Sequence, residues 1–138
     1  MKKIIIFSFL IVVIVFTFII GNIEHTTIFN GVLVENSVKV DIKITRTNFD
    51  ELFNKISKDM IVEGEGVNYR YIFSGKFFKM NGYYAAPIRR INDAGLAAQG
   101  YLFFDDKMDN IVIETKKEKI YSGDEDFVNT ITNKDIYE

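Results

Sequence analysis

The sequence has no cysteine, no tryptophan, one histidine and one proline. Without cysteine, the chain has no disulfide, thiolate nucleophile, iron–sulfur ligand or lipid-modified cysteine anchor. The single histidine, His25, follows an apolar segment, where it is expected to be a polar residue next to a membrane rather than a catalytic base. Zinc and related metals need several nitrogen or sulfur ligands. We therefore predict neither a metal site nor a cofactor.

Positive charge is also scarce. Lys2 and Lys3 precede the apolar segment, and taking them from the 17 basic residues leaves 15 against 19 acidic ones, a net charge of −4. Binding to nucleic acid draws most of its affinity from clustered positive charge. We therefore expect no nucleic-acid partner.

A long uncharged run, Ile4–Ile20, is the most distinctive feature that the sequence does contain. As a helix, the run would be about 25 Å long, and extending it through Ile23 would give about 30 Å, the thickness of a bilayer core. Because Lys2 and Lys3 lie before it, the positive-inside rule predicts a cytoplasmic N-terminus and a domain outside. The sequence thus predicts a single-pass protein of the cell membrane, with the membrane itself as a partner of this helix.

A cleaved signal peptide is the alternative, and it would make the rest of the chain a secreted domain. Signal peptides have apolar stretches of about 7–15 residues followed by a small-x-small cleavage site. This run is longer, and Gly21 is the only small residue at its end. We predict an anchor at residues 1–23 and an extracytoplasmic β-rich domain at residues 24–138. The frequent isoleucine, lysine and asparagine are typical of AT-rich bacterial genomes, which suggests a bacterial cell surface.

The domain begins with a period of two and then changes to a helical period. Apolar and polar residues alternate over Val38–Thr47, which is typical of a strand with one buried face. The next apolar residues have the spacing of one helix face and predict an amphipathic helix near residues 48–58 that docks by this stripe. They are Phe49, Leu52, Phe53 and Ile56. Asn48 and Glu51 resemble its capping box.

Short strand patterns separated by turns fill most of the remaining sequence. The turns are predicted at Asn81-Gly82, residues 92–95, residues 105–110 and residues 116–119. A short helix with Phe127, Val128 and Ile131 on one face is predicted near the end. The fold class is therefore α+β: a transmembrane helix, then an antiparallel sheet of about six or seven strands with one amphipathic helix packed on it.

A binding surface is predicted on the strands from Tyr69 to Ile91, around the Asn81-Gly82 hairpin. Tyr83, Tyr84, Arg89 and Arg90 combine aromatic and cationic side chains, the usual composition of a binding hot spot. Pro87 cannot donate a hydrogen bond to a strand ladder, which favours an edge strand open to a protein partner. Adjacent arginines point to opposite faces, so one of them needs a carboxylate or an anionic ligand. The ligand itself is not identified by any motif.

A hydrolase is the alternative function. Glu63 and Glu65 lie two residues apart and would share one face of a strand, and paired carboxylates can serve as acid and base. No phosphate-binding loop, dinucleotide fingerprint or nucleophile elbow accompanies them. A non-enzymatic binding module at the cell surface is the favoured interpretation.

Overall fold

The computed structural model describes residues 2–74, 76–80, 82–91 and 98–132. Its elements, in chain order, are α1 (Lys2–Gly21), β1 (Glu24–Leu33), β2 (Val38–Thr47), α2 (Asn48–Leu52), β3 (Met60–Gly64), β4 (Val67–Phe73), β5 (Phe78–Met80), β6 (Tyr83–Ile91), β7 (Ala98–Phe104), β8 (Ile111–Thr115), β9 (Lys119–Ser122) and α3 (Glu125–Thr132). The apolar helix, the antiparallel sheet and the strand Val38–Thr47 are confirmed. The predicted turn at residues 92–95, and Asn81 of the predicted Asn81-Gly82 turn, lie outside the described residues.

The sheet closes on itself. Eight strands follow one another in the order β1-β2-β3-β4-β6-β7-β8-β9, and all described pairings are antiparallel. The last strand, β9, returns to β1 through the pairs Val32↔Tyr121 and Leu33↔Ile120. The predicted open sheet of six or seven strands is therefore wrong, because the first and last strands pair and leave no long free edge.

β5 continues the line of β4 after an interruption that includes Ser74, Lys76 and Phe77. β4 pairs with the second half of β6, and β5 pairs with its first three residues. Pro87 lies opposite this interruption, and its carbonyl oxygen accepts a hydrogen bond from the Ser74 backbone N–H at 3.0 Å. The predicted edge strand is wrong, since β6 is paired on both sides. A proline nitrogen carries no hydrogen to donate to a neighbouring strand. Pro87 is tolerated because the ladder between β6 and its neighbours β4 and β5 is interrupted opposite this residue.

Alternating side chains divide the barrel into a filled interior and an outer wall. The interior residues are apolar and buried, and they pack into one cluster. They include Leu33, Val40, Ile42, Ile44, Ile56, Met60, Val62, Val67, Tyr71, Ile88, Leu102, Phe104, Met108, Ile111, Ile113 and Ile120. On the outer wall, α3 packs Val128 and Ile131 over Ala85, Phe103 and Val112, forming a second buried cluster.

The two ends of the barrel differ. The α1-side end is the one where α1 joins β1, and it also carries α2 and the β7–β8 connection. The far end carries the β1–β2, β3–β4 and β8–β9 turns. Only residues 22 and 23 separate α1 from β1, and Asn48 Nδ2 donates to the Ile20 carbonyl oxygen at 2.7 Å. The barrel therefore sits directly against the end of the apolar helix.

α2 is shorter than the sequence predicted. Thr47, rather than Asn48, caps it, because Thr47 Oγ1 accepts from the Asp50 backbone N–H and Asp50 Oδ2 accepts from the Thr47 backbone N–H. The helix ends at Leu52, and Asn54 follows in a left-handed conformation with φ of 49°. Because the helix ends early, the side chains of the predicted apolar stripe do not lie on one face. Ile56 is 2% exposed, whereas Phe53 is 61% exposed, so docking by the whole stripe is wrong.

Candidate functional site

The four residues predicted to bind a partner are divided between the two faces of β6. The side chains of Tyr83 and Arg89 point outward from the barrel, and those of Tyr84 and Arg90 point into its interior, as strand alternation requires. A single surface containing all four side chains therefore does not exist on this strand.

Arg90 belongs to a buried polar network at the far end of the interior. Its Nη1 donates to Glu118 Oε2 at 2.8 Å, and the two side chains are 11% and 4% exposed. The guanidinium lies 4.4 Å from the centroid of the Tyr69 ring. Tyr71, fully buried, donates its hydroxyl to Glu118 Oε1 at 2.9 Å. Arg90 Nε has no hydrogen-bond partner among the described residues.

Electrostatics keeps the Tyr71 hydroxyl of this network protonated. Burial, followed by the nearby Glu118 carboxylate, raises the pKa of Tyr71 well above its usual range, so the hydroxyl stays protonated and donates. The β8–β9 turn aims Glu118 inward, because Thr115 Oγ1 accepts from the backbone N–H of Lys117 and of Glu118, each at 3.1 Å. Arg90, the inward-facing arginine, is therefore paired with the Glu118 carboxylate. The network closes the far end of the barrel interior and is not an open binding site.

Tyr84 helps to close the α1-side end of the barrel. Its ring stacks on Phe104 with centroids 5.3 Å apart, and its hydroxyl accepts from Asn54 Nδ2 at 3.1 Å. Lys79 lies over the same ring at 5.2 Å, and its Nζ is 3.5 Å from Asp106 Oδ1. These contacts join β5 and β6 to the segment after α2.

Tyr83 packs outside, under α3. Its ring meets the Phe103 and Phe127 rings edge-on, at 6.0 and 6.3 Å between centroids. The ring is half-buried in the second apolar cluster. Tyr83 therefore holds α3 to the barrel wall.

Arg89 remains exposed and lines a groove on the outer wall, which we call the basic groove. The groove has a volume of about 440 Å³ and is formed by Ser74, Pro87, Ile88, Arg89, Gln99, Gly100, Tyr101 and Lys116. Its floor is backbone at the paired residues Ile88 and Gly100. Arg89 and Lys116 are exposed, and neither takes part in an ion pair between described residues.

The basic groove therefore brings together two cationic side chains and the half-buried ring of Tyr101, and the described residues that line it include no carboxylate. An arginine next to an aromatic ring suits a carboxylate-bearing ligand, which the guanidinium binds with two parallel hydrogen bonds. Sequence reasoning found Arg89 but missed Lys116, because the latter belongs to the β8–β9 turn and is near Arg89 only in three dimensions.

Glu63 and Glu65, the carboxylates considered for hydrolysis, do not form a cleft of their own. Glu63 points outward and receives Lys43 Nζ at 2.5 Å, and Glu65 lies exposed in the β3–β4 turn. Glu63 borders a second outer groove of about 540 Å³, whose lining carries charges of both signs. Its lining residues are Asn30, Gly31, Val32, Lys39, Val40, Asp41, Glu63 and Gly64.

His25 lies at the α1-side end of the barrel in a group of charged residues. Its Nε2 is 2.5 Å from Glu51 Oε1, and Arg46 Nη2 is 3.8 Å from the same oxygen. This group ties α2 to β1 and β2. Within the part of the chain that the structure describes, no group of three or more histidines or carboxylates is placed to hold a metal ion.

No family model, curated protein or solved structure matches the chain.

Proposed function

We propose that the chain is a single-pass membrane protein whose barrel is a non-enzymatic interaction module outside the cytoplasm. The topology is supported by α1, which is long and apolar enough to cross a membrane and exposes its apolar side chains all round. Lys2 and Lys3 at its start favour a cytoplasmic N-terminus.

Binding is better supported than catalysis because of the way the barrel is filled. Apolar side chains occupy the interior, and its buried arginine is already neutralised by Glu118. The hydrolase alternative has less support, because Glu63 is engaged by Lys43 on an open outer face and Glu65 lies in a turn. The observation that carries the proposal is the basic groove, where Arg89 and Lys116 lie beside a ring without an ion-pair partner among the described residues.

The partner that this groove fits is an acidic segment of another protein. Arg89 and Lys116 can each meet a carboxylate, while Tyr101 and Pro87 offer apolar surface to the chain between them. Arg89 lies near the far end of β6, so the groove is held away from the membrane to which α1 anchors the domain.

The topology can be measured with a single introduced thiol, because the chain has no cysteine. Asn36→Cys puts an exposed thiol in the β1–β2 turn at the far end. We expect a membrane-impermeant maleimide to label this variant in intact cells, and to label Lys2→Cys only after the cells are lysed. The reverse pattern would mean that the barrel faces the cytoplasm.

The groove can be tested with fluorescent peptides of equal length, one rich in Asp and Glu and the other carrying Asn and Gln instead. We expect the full chain in uncharged detergent to bind the acidic peptide only. Arg89→Glu and Lys116→Glu should each weaken binding by about thirtyfold, the loss of about 2 kcal/mol typical of a hot spot. Anisotropy titration gives the affinities.

Lys39→Glu is the matched control, because it makes the same charge change at an exposed site in the other outer groove. It should keep nearly the full affinity. Equal losses in Lys39→Glu and in the basic-groove variants would show that net charge alone is responsible, and the groove would then be discarded as the site.

A further inference from the structure

Two large apolar side chains project into solvent beside the end of α1. Leu52 is 71% exposed and Phe53 is 61% exposed, more than any other large apolar side chain described after α1. We call this pair the α2 tip. Burying such side chains is favourable, and leaving two neighbours in water is unusual unless another surface covers them.

The α2 tip is held in a fixed place relative to α1. The Asn48 backbone N–H donates to the Ile23 carbonyl oxygen at 3.2 Å, and Asn48 Nδ2 donates to the Ile20 carbonyl oxygen at 2.7 Å. The Phe49 ring lies so close to Gly21 that a Cβ there would be 2.1 Å from it. The tip is one helical turn from this junction and so lies where α1 would leave the bilayer.

The length of the uncharged run in α1 gives a reason for apolar surface at the end of this helix. The uncharged run Ile4–Ile20 rises about 25 Å as a helix, and a bilayer core is about 30 Å thick. A span that is too short is accommodated by thinning of the bilayer, by snorkelling of flanking residues or by oligomerisation. Further apolar surface at the helix ends would also cover the difference of about 5 Å. Ile23, 52% exposed, and the α2 tip supply such surface on the barrel side.

Charges beside the tip also suit a bilayer boundary. Lys55 is exposed, and its Nζ lies 5.8 Å from the centroid of the Phe53 ring. Lys58 follows and contacts Glu24 at 2.5 Å. Lysines next to apolar side chains suit the headgroup region, where the rings enter the acyl boundary and the ammonium groups meet phosphates. On the other side of the tip, the Glu51 carboxylate is paired with His25 and Arg46.

We propose that the α2 tip inserts into the leaflet on the barrel's side of the membrane that α1 spans. This second attachment fixes the tilt of the barrel and keeps its far end, with the basic groove, pointing away from the lipid. The inference rests on the proposed membrane anchoring by α1.

The chain has no tryptophan, so a single Trp gives an unambiguous probe. The full chain carrying Phe53→Trp is reconstituted in phosphatidylcholine vesicles whose acyl chains bear bromine near the headgroup. We expect its emission to be blue-shifted and to lose most of its intensity relative to unbrominated vesicles. Val34→Trp, 45% exposed at the far end, is the matched control and should keep its intensity.

Two results would overturn the insertion of the tip. In the first, Phe53→Trp is no more quenched than Val34→Trp. In the second, its emission is blue-shifted but unquenched and depends on protein density in the vesicle, which would identify a second copy as the cover. Val12→Trp, in the middle of α1, separates these outcomes from a failure of the anchor: it should be quenched by bromine deep in the acyl chains. An unquenched Val12→Trp would refute anchoring itself.

Discussion

Glu118→Ala is expected to destabilise the barrel by about 3–5 kcal/mol, the usual cost of removing one partner of a buried ion pair. The substitution removes the counter-charge of Arg90, whose side chain is only 11% exposed. It also removes the acceptor of the buried Tyr71 hydroxyl. Urea unfolding of the full chain in uncharged detergent, followed by circular dichroism, measures the loss.

Two controls test whether the loss comes from the burial of the Arg90–Glu118 pair. Glu63→Ala removes a carboxylate of the same kind from the exposed Lys43–Glu63 pair, and it should cost less than about 1 kcal/mol. The double variant Arg90→Met with Glu118→Leu leaves no unpaired charge, and it should recover much of the loss. A Glu118→Ala variant as stable as Glu63→Ala would mean that water reaches Arg90, and the network would no longer count as a closure.

The position of Glu118 explains why the loss should affect the whole barrel. Glu118 sits in the turn before β9, the strand that closes the sheet on β1 through two residue pairs. This seam is short among the described residues, and further bonds such as the one from the Val34 backbone N–H to the Lys119 carbonyl oxygen, at 2.9 Å, extend it. A network that joins this turn to β4 and β6 therefore stabilises the closure at its weakest pairing.

This closure could not be predicted from the sequence, whereas several elements could. The run of uncharged residues sets α1, and alternation sets β2, because both are local patterns. The pairing of Leu33 with Ile120 joins residues far apart in the chain and has no local signal. The helix after β2 was predicted too long because Phe53 matches a helical period, although Asn54 ends the helix and the ring faces outward.

The candidate site was predictable only one residue at a time. Alternation correctly places Arg89 and Arg90 on opposite faces and requires a carboxylate for the inward one. It does not identify Glu118, since a charged residue in a turn normally points to solvent. The aromatic residues were equally ambiguous: Tyr71 is core and Tyr83 is covered by α3, and this difference depends on which face of a closed sheet each one occupies.

Gly100→Ala is the other substitution from which we expect a large effect. A strand glycine predicts a close approach of another backbone, and here β7 and β8 do come close. A Cβ on Gly100 would lie 1.9 Å from the Glu114 carbonyl oxygen and 2.7 Å from Thr115 Cα. Because both atoms belong to a paired strand, no side chain can rotate away, and the ladder must open. We expect a loss of at least about 3 kcal/mol in the same urea measurement, the upper part of the range for overpacking.

Gly66→Ala is the matched control for Gly100→Ala. Gly66 has φ of 71° in the β3–β4 turn, and an added Cβ there meets nothing within 4 Å. Its cost is therefore backbone strain alone, about 1–2 kcal/mol. If Gly100→Ala costs no more than this, β7 and β8 can separate without loss of the barrel. If it costs more, as the contacts require, β7 and β8 cannot separate at Gly100 without loss of stability, and the backbone there is held in place.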